Sequence, residues 1–207
     1  MKKHAKLIVA VALCLLPMLL IATEYHRLPD QVIIHFNSAG EADGYAPKGV
    51  LFLLPVLMAV LQVLCTFAGK FDKRAETAAA SLYWFTQWLM PVLSCLTMAL
   101  CVYTSLGVEL PITLILQLLL GVVTMILGNY MPKCRQNSII GVKLPWTLKD
   151  PENWNFTHRV TGYVWFICGI LMLTSAFINA IWLTGAVLII MVIVPFAASL
   201  YFKAKHK

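Results

Sequence analysis

Charge is scarce in this chain, and that scarcity removes most classes of protein from consideration. Asp, Glu, Lys and Arg make up 12% of 207 residues, against 60% hydrophobic, and the mean hydropathy is +0.81. Soluble domains carry about 25% charged and roughly 45–50% apolar residues, so a water-soluble domain is excluded. No acidic or basic residue falls inside any of six apolar runs: Leu7–Ala22, Val50–Ala68, Leu82–Tyr103, Leu110–Leu127, Tyr163–Ala180 and Trp182–Phe202. Ionisable groups at membrane depth are costly and mark coupled transport, so their absence argues against a proton- or ion-driven carrier. Also missing are an HExxH pair, paired intramembrane aspartates, a Ser-Lys or Ser-His arrangement and a phosphate-binding glycine loop. An enzyme is not expected, nor is a cofactor. Cys14, Cys65, Cys95, Cys101 and Cys168 lie within the runs and Cys134 between two of them, which predicts free thiols and no metal site.

What remains is hydrophobic length. Each run approaches the roughly 20 residues that cross a bilayer core. The fold class is therefore all-α: a polytopic membrane protein of six transmembrane helices. Basic residues near span ends stay in the cytoplasm. One set of loops and ends holds Lys2, Lys3, Lys6, Lys70, Lys73, Arg74, Lys133, Arg135, Lys143, Lys149, Arg159, Lys203, Lys205 and Lys207; the other holds only Arg27 and Lys48. Both termini are expected to be cytoplasmic. The net charge of +7 then lies on one membrane face. Its partner is anionic membrane lipid, at about 1 kcal/mol per basic residue near the surface. Direct nucleic-acid binding is not expected, because there is no soluble basic domain to carry it. The first run resembles a secretory signal, but Ala22-Thr23-Glu24 is a poor cleavage site, which favours an uncleaved helix. The organisation expected is residues 1–68 (two helices with an outer loop, 23–49), 69–127 (helices three and four) and 128–207 (an inner loop, 128–162, then helices five and six). Pro17, Pro55, Pro91 and Pro195 fall inside spans and predict kinks that neighbouring helices re-satisfy, or hinges. Gln62, Gln87, Gln117 and Asn179 read as polar glue between helices.

The outer loop alternates like a short strand from Val32 to Phe36, and Asn37–Gly40 and Asp43-Gly44 are turn signals. Pro47 reads as the first residue of the second helix. His35 has no neighbouring Cys, His or carboxylate at ligand spacing, so a solvated or hydrogen-bonded histidine, or part of an outer contact surface, is expected rather than a metal ligand.

The inner loop is richer. Asn129 and Pro132 end the fourth helix, with Lys133 and Arg135 complementing its negative end. Asp150-Pro151-Glu152 reads as a helix start, with Asp as cap and Pro in the first turn. On that helix Trp154, Thr157, His158 and Thr161 share one face. Two readings stay open there. In one, Trp146 and Trp154 are anchors and Asn129, Asn137, Thr147 and His158 hydrogen-bond a loop folded back on the helix ends. In the other, the same groups form a cytoplasmic docking surface or the wall of an inward-facing cavity.

The order of residues in this loop resembles the SdpI-type immunity proteins, membrane proteins that protect a bacterium from its own sporulation-delaying peptide toxin. Asn129, Pro132, Lys133, Asn137, Gly141, Pro145, Trp146, Thr147, Trp154, Thr157, His158 and Gly162 carry the resemblance. In the outer loop Leu28, Pro29, His35, Phe36, Asn37, Gly40 and Asp43 resemble a small region of unknown function that commonly precedes the SdpI segment. Lys143 stands where an Arg is expected, and the two are not equivalent at a bidentate site. The resemblance implies an immunity protein that binds a peptide toxin on the extracytoplasmic side. It also implies a possible second role, holding a cytoplasmic repressor protein at the bacterial cell membrane. The alternatives are a small-solute facilitator, or a membrane sensor whose only output is the inner loop.

Overall fold

A computed structural model describes residues 2–71, 80–138, 140–178 and 180–206. Lys73, Arg74, Asn179 and Lys207, which enter the charge and polar-residue readings above, lie outside the described residues. Among the described residues, seven α-helices and the 3-10 turns adjoining them supply six stretches long and apolar enough to cross a membrane: Ala5–Glu24, Lys48–Phe67, Gln87–Ser105, Ile112–Lys133, Pro151–Phe177 and Ile181–Lys205. The protein is a polytopic membrane protein. It folds as two compact units: Met1–Ala68 with Trp84–Ile112, and Gly69–Tyr83 with Thr113–Lys207.

In the first unit, α1 (Lys2–Leu15) and α2 (Pro17–Glu24) form one broken span. Pro17 has no amide hydrogen and its ring crowds the preceding turn, so the break falls at Leu16. A neighbouring helix, α4 (Ala80–Ser105), covers the carbonyls of that turn: Ser94 Oγ donates to Cys14 O (2.7 Å) and Cys95 Sγ to Leu13 O (3.6 Å). Two antiparallel strands follow α2, β1 (Gln31–Phe36) and β2 (Ala42–Pro47), with Ile33 opposite Tyr45 and His35 opposite Gly44. Pro47 is the last residue of β2 and caps a 3-10 turn, Lys48–Phe52, in an extended conformation (φ −55°, ψ 137°). It therefore precedes the second span rather than starting it, because continuing the strand to Pro47 keeps it paired with Gln31. Helix α3 (Leu53–Phe71) completes that span. The core of the unit gathers Ile21, Leu28, Val32, Leu51, Met98, Cys101 and Val102, so the hairpin is seated on helix ends by Leu28 and Val32. Ser105 Oγ also accepts from Ile33 N (2.9 Å), tying β1 to the end of α4.

The second unit holds α5 (Ile112–Tyr130), α6 (Pro151–Phe177) and α7 (Ile181–Lys205). Helices α5 and α6 meet through glycines spaced seven apart on each. A Cβ on Gly162 would lie 2.5 Å from Pro132 and 2.8 Å from Gly128 O; one on Gly169 would lie 2.8 Å from Gly121 O and strike Met125. Backbones come this close only where side chains are absent, which is how small residues pack helices in a membrane. Helix α7 meets α6 through Cys168, Met172 and Val187. Gln117 on α5, Ser175 on α6 and Thr184 on α7 join in one buried group, with Gln117 Nε2 donating to Thr184 Oγ1 (3.1 Å) and the two hydroxyls 2.8 Å apart. Pro195 leaves the carbonyl of Met191 without its helical donor, and Trp165 Nε1–H on α6 supplies one at 3.0 Å.

Candidate functional site

Of the inner-loop residues singled out above, Asn137, Gly141, Pro145, Thr147, Trp154 and His158 converge on one hydrogen-bonded knot at the start of α6. Asp150 caps that helix, its carboxylate accepting from Glu152 N (2.9 Å) and Asn153 N (3.2 Å). The cap and Pro151 start α6 three residues before Trp154 and set the face that follows. Trp154, Thr157, His158 and Thr161 are each at most 1% exposed. In this conformation the face is buried under the loop rather than presented.

His158 carries the knot. Its Nε2 accepts from Val142 N–H (3.0 Å), which leaves Nδ1 as the donor to Trp154 O (2.8 Å). Only the neutral imidazole protonated at Nδ1 fits both bonds. The Trp154 ring stacks on it, with centroids 3.9 Å apart, and its indole N–H donates to Cys134 O (2.8 Å). Gly141 passes directly over this pair with φ +128°, and a Cβ there would collide with His158 Nε2 and the Trp154 ring. Two smaller loops close around the centre. Asn137 donates to Arg135 O (2.9 Å) and Ile140 O (3.0 Å) and accepts from Ile140 N (2.8 Å). Thr147 Oγ1 donates to Val142 O (2.8 Å) and accepts from Leu144 N (2.9 Å) around Pro145. Burial pushes the Cys134 thiol above its ordinary pKa, so this cysteine is poorly reactive despite its place in a loop.

Other members of the set stand outside the knot. Asn129, Pro132 and Lys133 are exposed, with Lys133 Nζ 3.4 Å from Asn129 Oδ1. Gly162 serves the α5–α6 seam. Thr157 donates to Asn153 Oδ1 (3.0 Å). Trp146 packs edge-on against Phe196 of α7, and Lys203 Nζ sits 4.7 Å above its ring. Lys143, at the position where an Arg is expected, reaches one carbonyl, Ser138 O (3.3 Å), a contact that asks for no planar fork.

Sequence reasoning missed three contributors. Asn153 Nδ2 donates to Ser199 O on α7 (3.0 Å) and Gln136 Nε2 to Thr147 O (2.8 Å). The glycine seam is the third, and the repeated Gly-x6-Gly spacing at 121/128 and 162/169 was the signal for it.

In the first unit the hairpin places its motif residues at one tip. Asn37 organises the turn: its Oδ1 accepts from Ala39 N (2.9 Å) and Glu41 N (3.0 Å), and its Nδ2 donates to Glu41 Oε2 (3.0 Å). Gly40 takes the left-handed conformation, φ +84°. His35 is exposed and hydrogen-bonded, as expected, and its partner is a carboxylate that spacing did not reveal: Asp43 Oδ1 lies 2.6 Å from its Nδ1. Strand pairing brings the two together across eight residues, which linear spacing cannot reveal. Gly44 lies opposite His35, and a Cβ there would stand 2.7 Å from His35 Cβ. Phe36 is half-buried and Pro29 exposed. At the base, Lys48 pairs with Asp30 (3.3 Å) and Arg27 with Glu24 (2.7 Å). Arg27 and Lys48 are thus paired with carboxylates at the base, while Glu41 and Asp43 lie at the tip, bonded to Asn37 and His35.

Comparison with known proteins agrees with both segments. Residues 133–199 match the SdpI/YfhL protein family, and residues 12–59 match a domain of unknown function, DUF1648. Immunity protein SdpI of Bacillus subtilis (strain 168) is 29% identical over 194 residues, covering 94% of this chain and 88% of that protein. No solved structure matches. The knot and the helices that build it fall almost wholly within the first of these matches, and the second match lies in order before it, so this chain is similar to the SdpI/YfhL protein family in both segments.

Proposed function

We propose that this protein is an immunity protein of the bacterial cell membrane, protecting the cell that makes it from a secreted peptide toxin. The observation that carries the reading is the likeness to an immunity protein along 94% of the chain, through both the hairpin and the knot. The asymmetry of Lys and Arg sets the hairpin outside and the knot inside. A toxin arriving from outside then meets the hairpin first, whose acidic tip and exposed Tyr45 give it charge and aromatic surface for binding. Binding the peptide at the membrane surface keeps it from the bilayer. No group in the chain is assigned a catalytic step. A second role follows from the same topology: the exposed cations of the inner loop, Lys133, Arg135, Lys143 and Lys149, hold a cytoplasmic repressor when toxin is bound. That role requires two states of the protein that differ in affinity for the toxin. Expression in a toxin-sensitive strain tests the primary reading. Cells carrying the inserted protein survive a dose that kills vector controls; death at the control rate, with the protein present in the membrane, refutes it.

A further inference from the structure

Helix α7 changes its company at Pro195. Before the proline it pairs with membrane-depth residues of α6: Thr184 with Ser175, and Met191 O with Trp165. Beyond it, Phe196, Ser199 and Lys203 occupy one face by three- and four-residue steps, and each holds the loop or the first turn of α6. Phe196 and Lys203 grip Trp146 from edge and face, and Ser199 O accepts from Asn153. Phe202, on the same segment, packs on Phe156 of α6, ring centroids 5.3 Å apart. Trp146 attaches the loop to α7; the knot around His158 lies further inside, beneath the loop backbone at Gly141 and Val142.

We propose that the segment Phe196–Lys205 is a latch that holds the inner loop closed through Trp146, with Pro195 as its pivot. With the latch down, Trp154, His158 and Cys134 stay beneath the loop. With it released, the loop lifts and presents an indole, an imidazole and a thiol to water. This rests on the contacts of the second unit alone and is independent of the immunity reading.

Cys134 reports the state of the latch. The full-length protein in isolated membranes is treated with N-ethylmaleimide, and the labelling rate of each cysteine is read by peptide mass spectrometry. Lys203→Met and Trp146→Ala raise the rate at Cys134 by about tenfold, the scale of losing a partly desolvated cation–π contact in an opening equilibrium. Lys203→Arg, which keeps a cation over the ring, leaves it near wild type. Lys205→Met leaves it unchanged, because Lys205 sits over Tyr201 and not over the loop. Unchanged labelling at Cys134 in both Lys203→Met and Trp146→Ala overturns the latch. So does a parallel rise at Cys168, buried at membrane depth between α6 and α7, because the loop would not then be opening alone.

Discussion

At the scale of single residues, the inner loop depends on one position where nothing but glycine fits. Gly141 combines a left-handed φ with a Cβ direction that runs into His158 and Trp154. The first feature strains any L-residue and the second forces the stacked pair apart. Gly141→Ala is expected to cost about 2 kcal/mol or more, seen as a lowered melting midpoint of the purified protein in detergent, with the loss of the Trp154–Cys134 hydrogen bond exposing the thiol. A melting midpoint equal to wild type would mean that the loop does not pass over the imidazole as described. His158 explains why the sequence could suggest this residue but not its job. Its spacing from Trp154 on a helix is visible in the chain, and so is their shared face. Its other partner is a backbone amide, Val142 N–H, and backbone partners leave no side-chain pattern to read. The same limit hid the partner of Asn153, a carbonyl on α7.

At the scale of elements, six apolar runs mapped onto six spans because hydrophobic length is a local property. The Asp150 cap and the strand at Gln31–Phe36 were legible for the same reason: cap chemistry and alternation act within a few residues. Pairings between elements were not. The partner strand β2 contains Ala, Gly and Pro with little strand character, and it forms because β1 and the Asn37 turn hold it in register. The seam of α5 and α6 likewise needs knowledge of which helices touch. Its glycines separate into two kinds by a direct comparison. Gly162→Leu places a side chain against Pro132 and the α5 backbone, whereas Gly185 on α7 has no atom within 4 Å of a Cβ. Overpacking typically costs about 1–3 kcal/mol, so Gly162→Leu is expected to lower thermal stability by at least that much. Gly185→Leu is expected to be neutral or slightly stabilising, because it removes a helix glycine. Equal effects of the two substitutions would show that α5 and α6 are not in backbone contact.

At the scale of the whole molecule, the structure supplies two compact units, and the sidedness proposed for their loops rests on the charge pattern. The hairpin belongs to the first unit and the knot to the second; the function proposed above assigns toxin binding to the hairpin and a cytoplasmic contact to the inner loop. Everything proposed about function depends on the hairpin facing outward and the inner loop facing inward. Cys134 is a poor probe of that question, since it is buried and its thiol is held above its ordinary pKa. Ser38 at the hairpin tip and Lys149 in the inner loop are exposed and suit it better. The decisive measurement is labelling of Ser38→Cys and Lys149→Cys, each scored against the parent chain, with a membrane-impermeant maleimide on intact cells and again after permeabilisation. The predicted result is that Ser38→Cys reacts on intact cells and Lys149→Cys only once the membrane is opened. The reverse pattern would place the basic loop outside and the hairpin inside, and would contradict the account.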